Sequence, residues 1–273
     1  MDVLERLDRA GALYGEDITL TRPRSGYLRL EGMVDQPERR RALVDALGAL
    51  ASIPQFEVRL RTVPDTAPAA TVAGETSTRT ATRVFEVERD QSPVSSVLAD
   101  ALMKQGVAAG PPLDDMARAL SVRVVNASHD ALRHTWAFKR LARHVEGDRL
   151  RTADPEAHRR WRELLGDHVT AFTRHSAQIQ AELTAIGLFP NVNQGFVIPE
   201  PDSGRGTEPS AERGAELDAE QFVKLAEQQD RSVRALFSSA PTAGVEVDAR
   251  QTLRDLAVQL RWSAIAAERL LDR

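Results

Sequence analysis

Cysteine is absent from the 273 residues, which excludes disulfides, Cys-ligated zinc, iron–sulfur clusters and a thiol nucleophile. The absence leaves the compartment open, because a disulfide-free chain is at home on either side of a membrane. No run of 18 apolar residues occurs, so no transmembrane segment is expected. Met1–Asp8 carries three acids and no apolar stretch, so no secretory signal is expected either. Lysine is scarce, confined to Lys104, Lys139 and Lys224, and with the abundant alanine this reads as the coding bias of a GC-rich genome. The 36 bases against 40 acids give −4, so the basic surplus that nucleic-acid binding calls on is missing. The length suits one large or two small domains.

What is present begins with a small ordered unit in residues 1–62. Val3, Leu4, Leu7 and Ala10 sit at helical spacing, closed near Gly11 or Gly15. Ile18-Thr-Leu-Thr21 and Tyr27-Leu-Arg-Leu-Glu-Gly-Met-Val34 alternate apolar and polar around Pro23-Arg-Ser-Gly26, which predicts a hairpin. Asp35 is placed as an N-cap, with Pro37 in the first turn and Glu38 three residues after the cap. The following helix is expected to bury Ala42, Leu43, Ala46, Leu47 and Leu50. Phe56-Glu-Val-Arg-Leu60 then alternates as a third strand, so the order is helix–strand–strand–helix–strand.

Residues 63–82, with Pro64, Pro68 and scattered Thr, Ala and Gly, show no periodicity and read as a flexible linker. Arg83-Val-Phe-Glu-Val-Glu88 alternates like a lone strand that must pair with something. A short helix over Pro93–Gln105 stops at Gly106, and Gly110-Pro-Pro112 is a second break. Residues 83–273 then form a mainly helical domain. Over 113–147, Met116, Leu120, Val124, Ala127, Ala131, Phe138, Leu141 and Val145 keep one stripe, for a helix roughly 50 Å long. Over 154–187, Trp161, Leu165, His168, Phe172, His175, Ile179, Leu183 and Ile186 recur at spacings of four and three, a coiled-coil seam. The short connection predicts an antiparallel hairpin. Residues 200–220 hold seven acids and two arginines, a local charge of −5. Two helices close the chain: 218–238, burying Phe222, Leu225, Val233, Leu236 and Phe237, and 248–271, burying Leu253, Leu256, Leu260, Ile265 and Leu271. The fold class is therefore α+β, predominantly α-helical.

The chemistry of catalysis is not legible. His129 and His134 are about 140° apart around a helix, and His168 and His175 are two turns apart, too far for one small ion. No HExxH, no GxSxG elbow and no P-loop occurs, and Gly106–Gly110 lacks the lysine and hydroxyl of the last. No metal, cofactor or catalytic residue is therefore assigned, and no enzyme activity is expected. His168 and His175 read as polar members of the seam, hydrogen-bonded across it, or as a pH-sensitive element of its packing. Phe196-Val-Ile198, inside a polar loop, either caps the hairpin or is offered to a partner.

Two surfaces are the candidates for binding a partner. Arg39, Arg40 and Arg41 lie on a helix whose other face is apolar, as a phosphate or headgroup patch would, or as cations paired with nearby acids. Arg133, Trp136 and Lys139 lie together on the long helix, with Trp136 about 100° from the apolar stripe. Trp136 there is either a boundary core residue or an aromatic anchor for a partner.

Residues 1–62 resemble a BON domain, a small lipid- and protein-binding module of bacterial envelope proteins. The resemblance rests on Ile18-Thr-Leu-Thr21, Gly26-Tyr-Leu-Arg-Leu-Glu-Gly-Met-Val34, the Glu38–Leu47 helix and Ile53-Pro-Gln-Phe-Glu-Val-Arg-Leu60. In it Gly26 takes the turn and Gly32 lets the helix approach the sheet. Pro54-Gln55 stands where the family has a Gly-Val step. The whole chain is similar to extracytoplasmic regions of membrane-anchored anti-sigma-factor-like proteins of soil bacteria. That likeness runs through Asp2-Val-Leu-Glu-Arg-Leu-Asp-Arg-Ala-Gly11, the small unit, the linker and Ala131-Leu-Arg-His-Thr-Trp-Ala-Phe-Lys-Arg-Leu-Ala142. It implies a periplasmic, membrane-tethered portion of a regulator, without the zinc-finger segment that binds a sigma factor.

The expectation is a non-catalytic envelope module that senses by binding a protein, a lipid headgroup or the cell wall. The alternative is a structural protein that self-associates as a dimer through the long hairpin.

Overall fold

The computed structural model describes residues 1–21, 27–62, 92–144, 154–189, 211–237 and 248–271. The Pro23–Gly26 turn, the linker, the Arg83–Glu88 segment and the Phe196–Ile198 loop lie outside the described residues. The architecture is predominantly helical α+β with one small sheet. It divides into two compact units, Met1–Glu86 with Arg143–Leu164, and Val87–Ala142 with Leu165–Arg273.

In the first unit, α1 (Asp2–Arg9) is followed by β1 (Asp17–Thr21), β2 (Leu28–Val34), α2 (Pro37–Leu47), a 3₁₀ turn (Gly48–Ser52) and β3 (Phe56–Thr62). Strand β2 is central, antiparallel to β1 with Leu20 opposite Leu30, and parallel to β3 with Leu30 opposite Val58. Parallel strands need a crossover, and α2 supplies it. The core gathers Leu4 and Leu7 of α1, Leu30 and Val34 of β2, and Leu43 and Leu47 of α2. Helix α1 ends where Gly11 takes φ 70° and Ala12 N–H donates to Leu7 O at 2.8 Å, a six-residue closure that needs a left-handed residue.

Three expectations change here. Gln36, not Asp35, is the N-cap of α2: Pro37 occupies the first turn and holds Gln36 extended at φ −132°, so the helix cannot begin earlier. The tight approach at Gly32 comes from β1 rather than a helix. A Cβ there would lie 2.9 Å from Ile18 Cα and closer still to Asp17 O. On α2, Ala42 is exposed, leaving Leu43 and Leu47 as its fully buried residues.

Arginines tie this unit together. Arg6 of α1 donates to Leu47 O, the last carbonyl of α2, at 2.9 Å, and Arg39 of α2 donates to Ala10 O at the end of α1 at 2.8 Å. Each thereby satisfies a carbonyl that its neighbouring helix leaves open, at the end where a cation is favoured. Arg160, in α5 (Pro155–Ala185), grips Glu5 with two hydrogen bonds of 2.7 Å and Asp2 with a third of 2.7 Å. Arg160 lies in the Arg143–Leu164 segment, which belongs to the first unit despite its distance in sequence.

The second unit contains α3 (Ser95–Lys104), most of α4 (Pro111–His144) and of α5, then α6 (Ala211–Phe237) and α7 (Ala249–Leu271). Pro111 and Pro112 open α4 instead of breaking the chain before it, because the first turn has no use for their missing N–H groups. The inward face of α4 runs through Leu113, Leu120, Val124, Ala127, Ala131, Thr135 and Phe138, and Met116, expected in the stripe, is exposed. Leu271, expected inward at the end of α7, is exposed as well. Helix α6 starts seven residues before the expected 218, since its acidic first turns carry no apolar periodicity. Asp248 Oδ1 caps α7 by accepting from the N–H groups of Arg250 and Gln251.

Two apolar cores fill this unit. One gathers Leu98 and Leu102 of α3, Val124 of α4, Ile179 and Leu183 of α5, Leu236 of α6 and Leu256 of α7. The other centres on Phe222 of α6, whose ring meets Phe172 at 4.7 Å and Phe138 at 5.4 Å, both edge-to-face. Between the two cores every long helix changes to a polar residue at one level: Ser128 on α4, Ser176 on α5, Gln229 and Asp230 on α6, and Ser263 on α7, all buried.

Candidate functional site

The arginine run of α2 does not act as one face. Arg39 is drawn inward to Glu16 and Ala10 O, while Arg41 points outward against Glu38 at 3.8 Å. Arg40 is half-buried. Arg39 is thus committed to holding α1 and α2 together, and the run reads as paired cations more than as an open anion patch.

The second expected surface is assembled as a surface. Trp136 projects from the outward side of α4 with 40% of its area exposed, between the half-buried Arg133 and Lys139. Its neighbours in sequence, Ala137 and Phe138, are buried, so the helix turns its apolar side inward and leaves the indole out. Val122, four turns earlier on the same side, is 53% exposed. Arg133 is held by Asp130 at 3.6 Å. From Ala131 to His144 the helix carries Arg133, Lys139, Arg140 and Arg143 and no acid, so the indole stands in a basic setting.

An open cleft of about 340 Å³ lies in the first unit, lined by Leu4 of α1, Leu20 and Leu28 of the hairpin strands, and Leu50, Ile53 and Phe56. Ile53 in its lining is 40% exposed. The volume is at the small end of ligand pockets, and the lining offers apolar contact with few polar groups to fix an orientation.

The buried polar groups of the second unit pair off across the helices. Ser128 Oγ donates to Asp230 Oδ1 at 3.1 Å, and Arg234 Nε reaches Asp230 Oδ2 at 2.6 Å. Gln229 Nε2 donates to Ser176 Oγ at 3.2 Å. Beside this layer three histidines meet between α4 and α5. His134 Nδ1 and His168 Nδ1 are 3.1 Å apart, and the His134 ring stacks on His175 at 5.7 Å with 18° between the planes. His168 is buried and the other two are half-buried. Burial holds the His175 ring below its ordinary value, with Asp130 opposing that and Arg174 adding to it. The seam reading places His168 and His175 correctly but omits His134, whose spacing from His129 gives no hint of what faces it across the helix pair. Among the described residues no group of three His, Asp or Glu is arranged to hold a metal ion.

Among the described residues no helix is long and apolar enough to cross a membrane. No protein-family model, no curated protein and no solved structure matches the chain. The fold class is accordingly read from the chain's own architecture: one unit has a small mixed sheet with two helices, and the other is a helical bundle with a buried polar layer.

Proposed function

We propose that this chain is a non-catalytic binding and sensing module of the bacterial envelope, part of a membrane-anchored regulator. Its partner is an acidic surface presented by a protein, a lipid headgroup or the cell wall. The observation that carries the reading is Trp136, exposed on α4 between Arg133 and Lys139. A large aromatic left in water beside cations is costly to a surface with nothing to bind, and such residues anchor interfaces. The helix–strand–strand–helix–strand order of the first unit, with an open apolar cleft, fits the BON resemblance and supports an envelope role.

The test is co-sedimentation of the full chain with isolated cell-wall sacculi and with vesicles of anionic or neutral lipid. The wild type is expected to sediment with at least one of the anionic surfaces and not with neutral vesicles. Trp136→Ala combined with Lys139→Glu is expected to weaken that binding at least about tenfold, as loss of an aromatic anchor does. Equal binding of the wild type and the double variant would overturn the proposed surface.

The self-associating reading has less to stand on, because Phe172, Ile179 and Leu183 of the seam are already fully buried within one chain. A dimer would have to use the outward face of α4 instead. Light scattering at two concentrations about fiftyfold apart separates the two readings, a constant monomer mass removing the dimer.

A further inference from the structure

We propose that His134, His168 and His175 form a proton-sensitive latch between α4 and α5, closed when the rings are neutral and loosened when they take up protons. The observation is geometric. A hydrogen bond between two Nδ1 atoms 3.1 Å apart requires one ring to donate and the other to accept. The accepting ring is neutral by definition, so charging both rings removes the bond. The third ring adds the same constraint, since His175 stacks on His134 at 5.7 Å and two imidazolium rings in that position repel. His168 is only 3% exposed, so the contact it makes with His134 is buried between the helices.

The charged groups around the latch define what it works against. On α4, Asp130 draws His175 toward its charged form but is itself engaged by Arg133 at 3.6 Å. On α5, Arg174 opposes charge on His175. On α6, Asp230 is the charged group of the neighbouring polar layer, held by Arg234 and by Ser128 of α4. Helix α7 presents the uncharged Ser263 at that level. His175 adjoins this layer next to Ser176, whereas His134 and His168 lie at the level of the Phe222 core, flanked by Ala131 and Phe138 on α4 and by Val169 and Phe172 on α5. The latch lies on α4, the helix that also carries the exposed Trp136, so proton uptake and the partner face share one element. This device stands on the histidine geometry alone and does not depend on what Trp136 binds.

The experiment is urea unfolding of the full chain at pH 7.5 and pH 5.5, for the wild type, His168→Gln and His175→Gln. The unfolding constant of the wild-type second unit, followed by hydrogen exchange of α4 and α5 amides, is expected to rise at least about tenfold over that interval, the effect of one proton linked across one pH unit. Either variant, having lost an imidazole of the cluster, is expected to show less than half of that rise on a logarithmic scale. His175→Gln alters the more open ring and keeps the test available should His168→Gln fail to fold. A wild type whose unfolding constant is the same at both pH values would overturn the latch. So would variants that retain the full wild-type pH dependence.

Discussion

In the first unit, arginine side chains cross between elements to reach carbonyls and carboxylates. In the second, the elements meet through stacked aromatic and aliphatic layers, and cations stay mostly at the rim. The contrast follows from size of core. Two short helices on a three-stranded sheet bury few large side chains, so Arg6 and Arg39 add charged hydrogen bonds to helix ends and Arg160 brings in a segment distant in sequence. Four longer helices bury Phe138, Phe172 and Phe222 against one another, and their remaining difficulty is register rather than adhesion. The layer of Ser128, Ser176, Gln229 and Asp230 answers it, because a helix slipped by one turn would set these groups against apolar neighbours with their hydrogen bonds unmade.

The comparison breaks most visibly at Phe222. Phe222→Ala removes the ring that joins Phe138 and Phe172, and is expected to destabilise the second unit by about 3–5 kcal/mol. Hydrogen exchange would then show lost protection in α5 and α6 while β2 in the first unit stays protected. Arg6→Ala is the counterpart in the first unit. It strips the last carbonyl of α2 of its donor and is expected to cost about 1–2 kcal/mol, read as faster exchange at the end of α2.

Acid should separate the units by order of response. The Arg160 guanidinium holds Glu5 and Asp2 below their ordinary values of 4.5 and 3.8. Their contribution is thus complete above those values and is lost only as pH falls through the lowered range, below about pH 4. His175 is likewise lowered, from 6.5, but as a base. The folded ring binds fewer protons than the unfolded one, so its contribution is complete above pH 6.5 and declines as pH falls below it. The second unit is expected to lose protection between pH 6.5 and 5, and the first only in stronger acid. Arg160→Gln should abolish the first unit's acid step, and simultaneous loss in both units would erase the distinction. The smallest effect is at Ser263, whose hydroxyl is fully buried and meets no hydrogen-bond partner among the described residues. Ser263→Ala is expected to leave the fold intact and to raise stability by up to about 1 kcal/mol in urea denaturation.

Much of this architecture could be read along the chain. The expected helices over 113–147 and 154–187 fall within three residues of α4 and α5 at each end, because a four-three repeat sustained for thirty residues has no other regular solution. The strand order of the first unit was equally legible from alternation and turn residues. Errors gathered where a position depends on a neighbour in space. Asp35 has the chemistry of a cap, yet Pro37 sets the helix start one residue beyond it. Met116 has the right spacing for the stripe, yet Leu113 is the residue turned inward.

The sequence by itself determined most of the elements and the helical α+β class, since periodicity and turn chemistry are local properties of the backbone. Only the tertiary structure decided that Arg160 reaches back to Asp2 and Glu5, that five polar residues from four helices align in one layer, and that His134 completes a cluster with His168 and His175. Each joins side chains from different helices. Whether two such groups meet depends on the rotation and register of whole elements, which burial of the apolar faces sets and no single stretch of chain encodes.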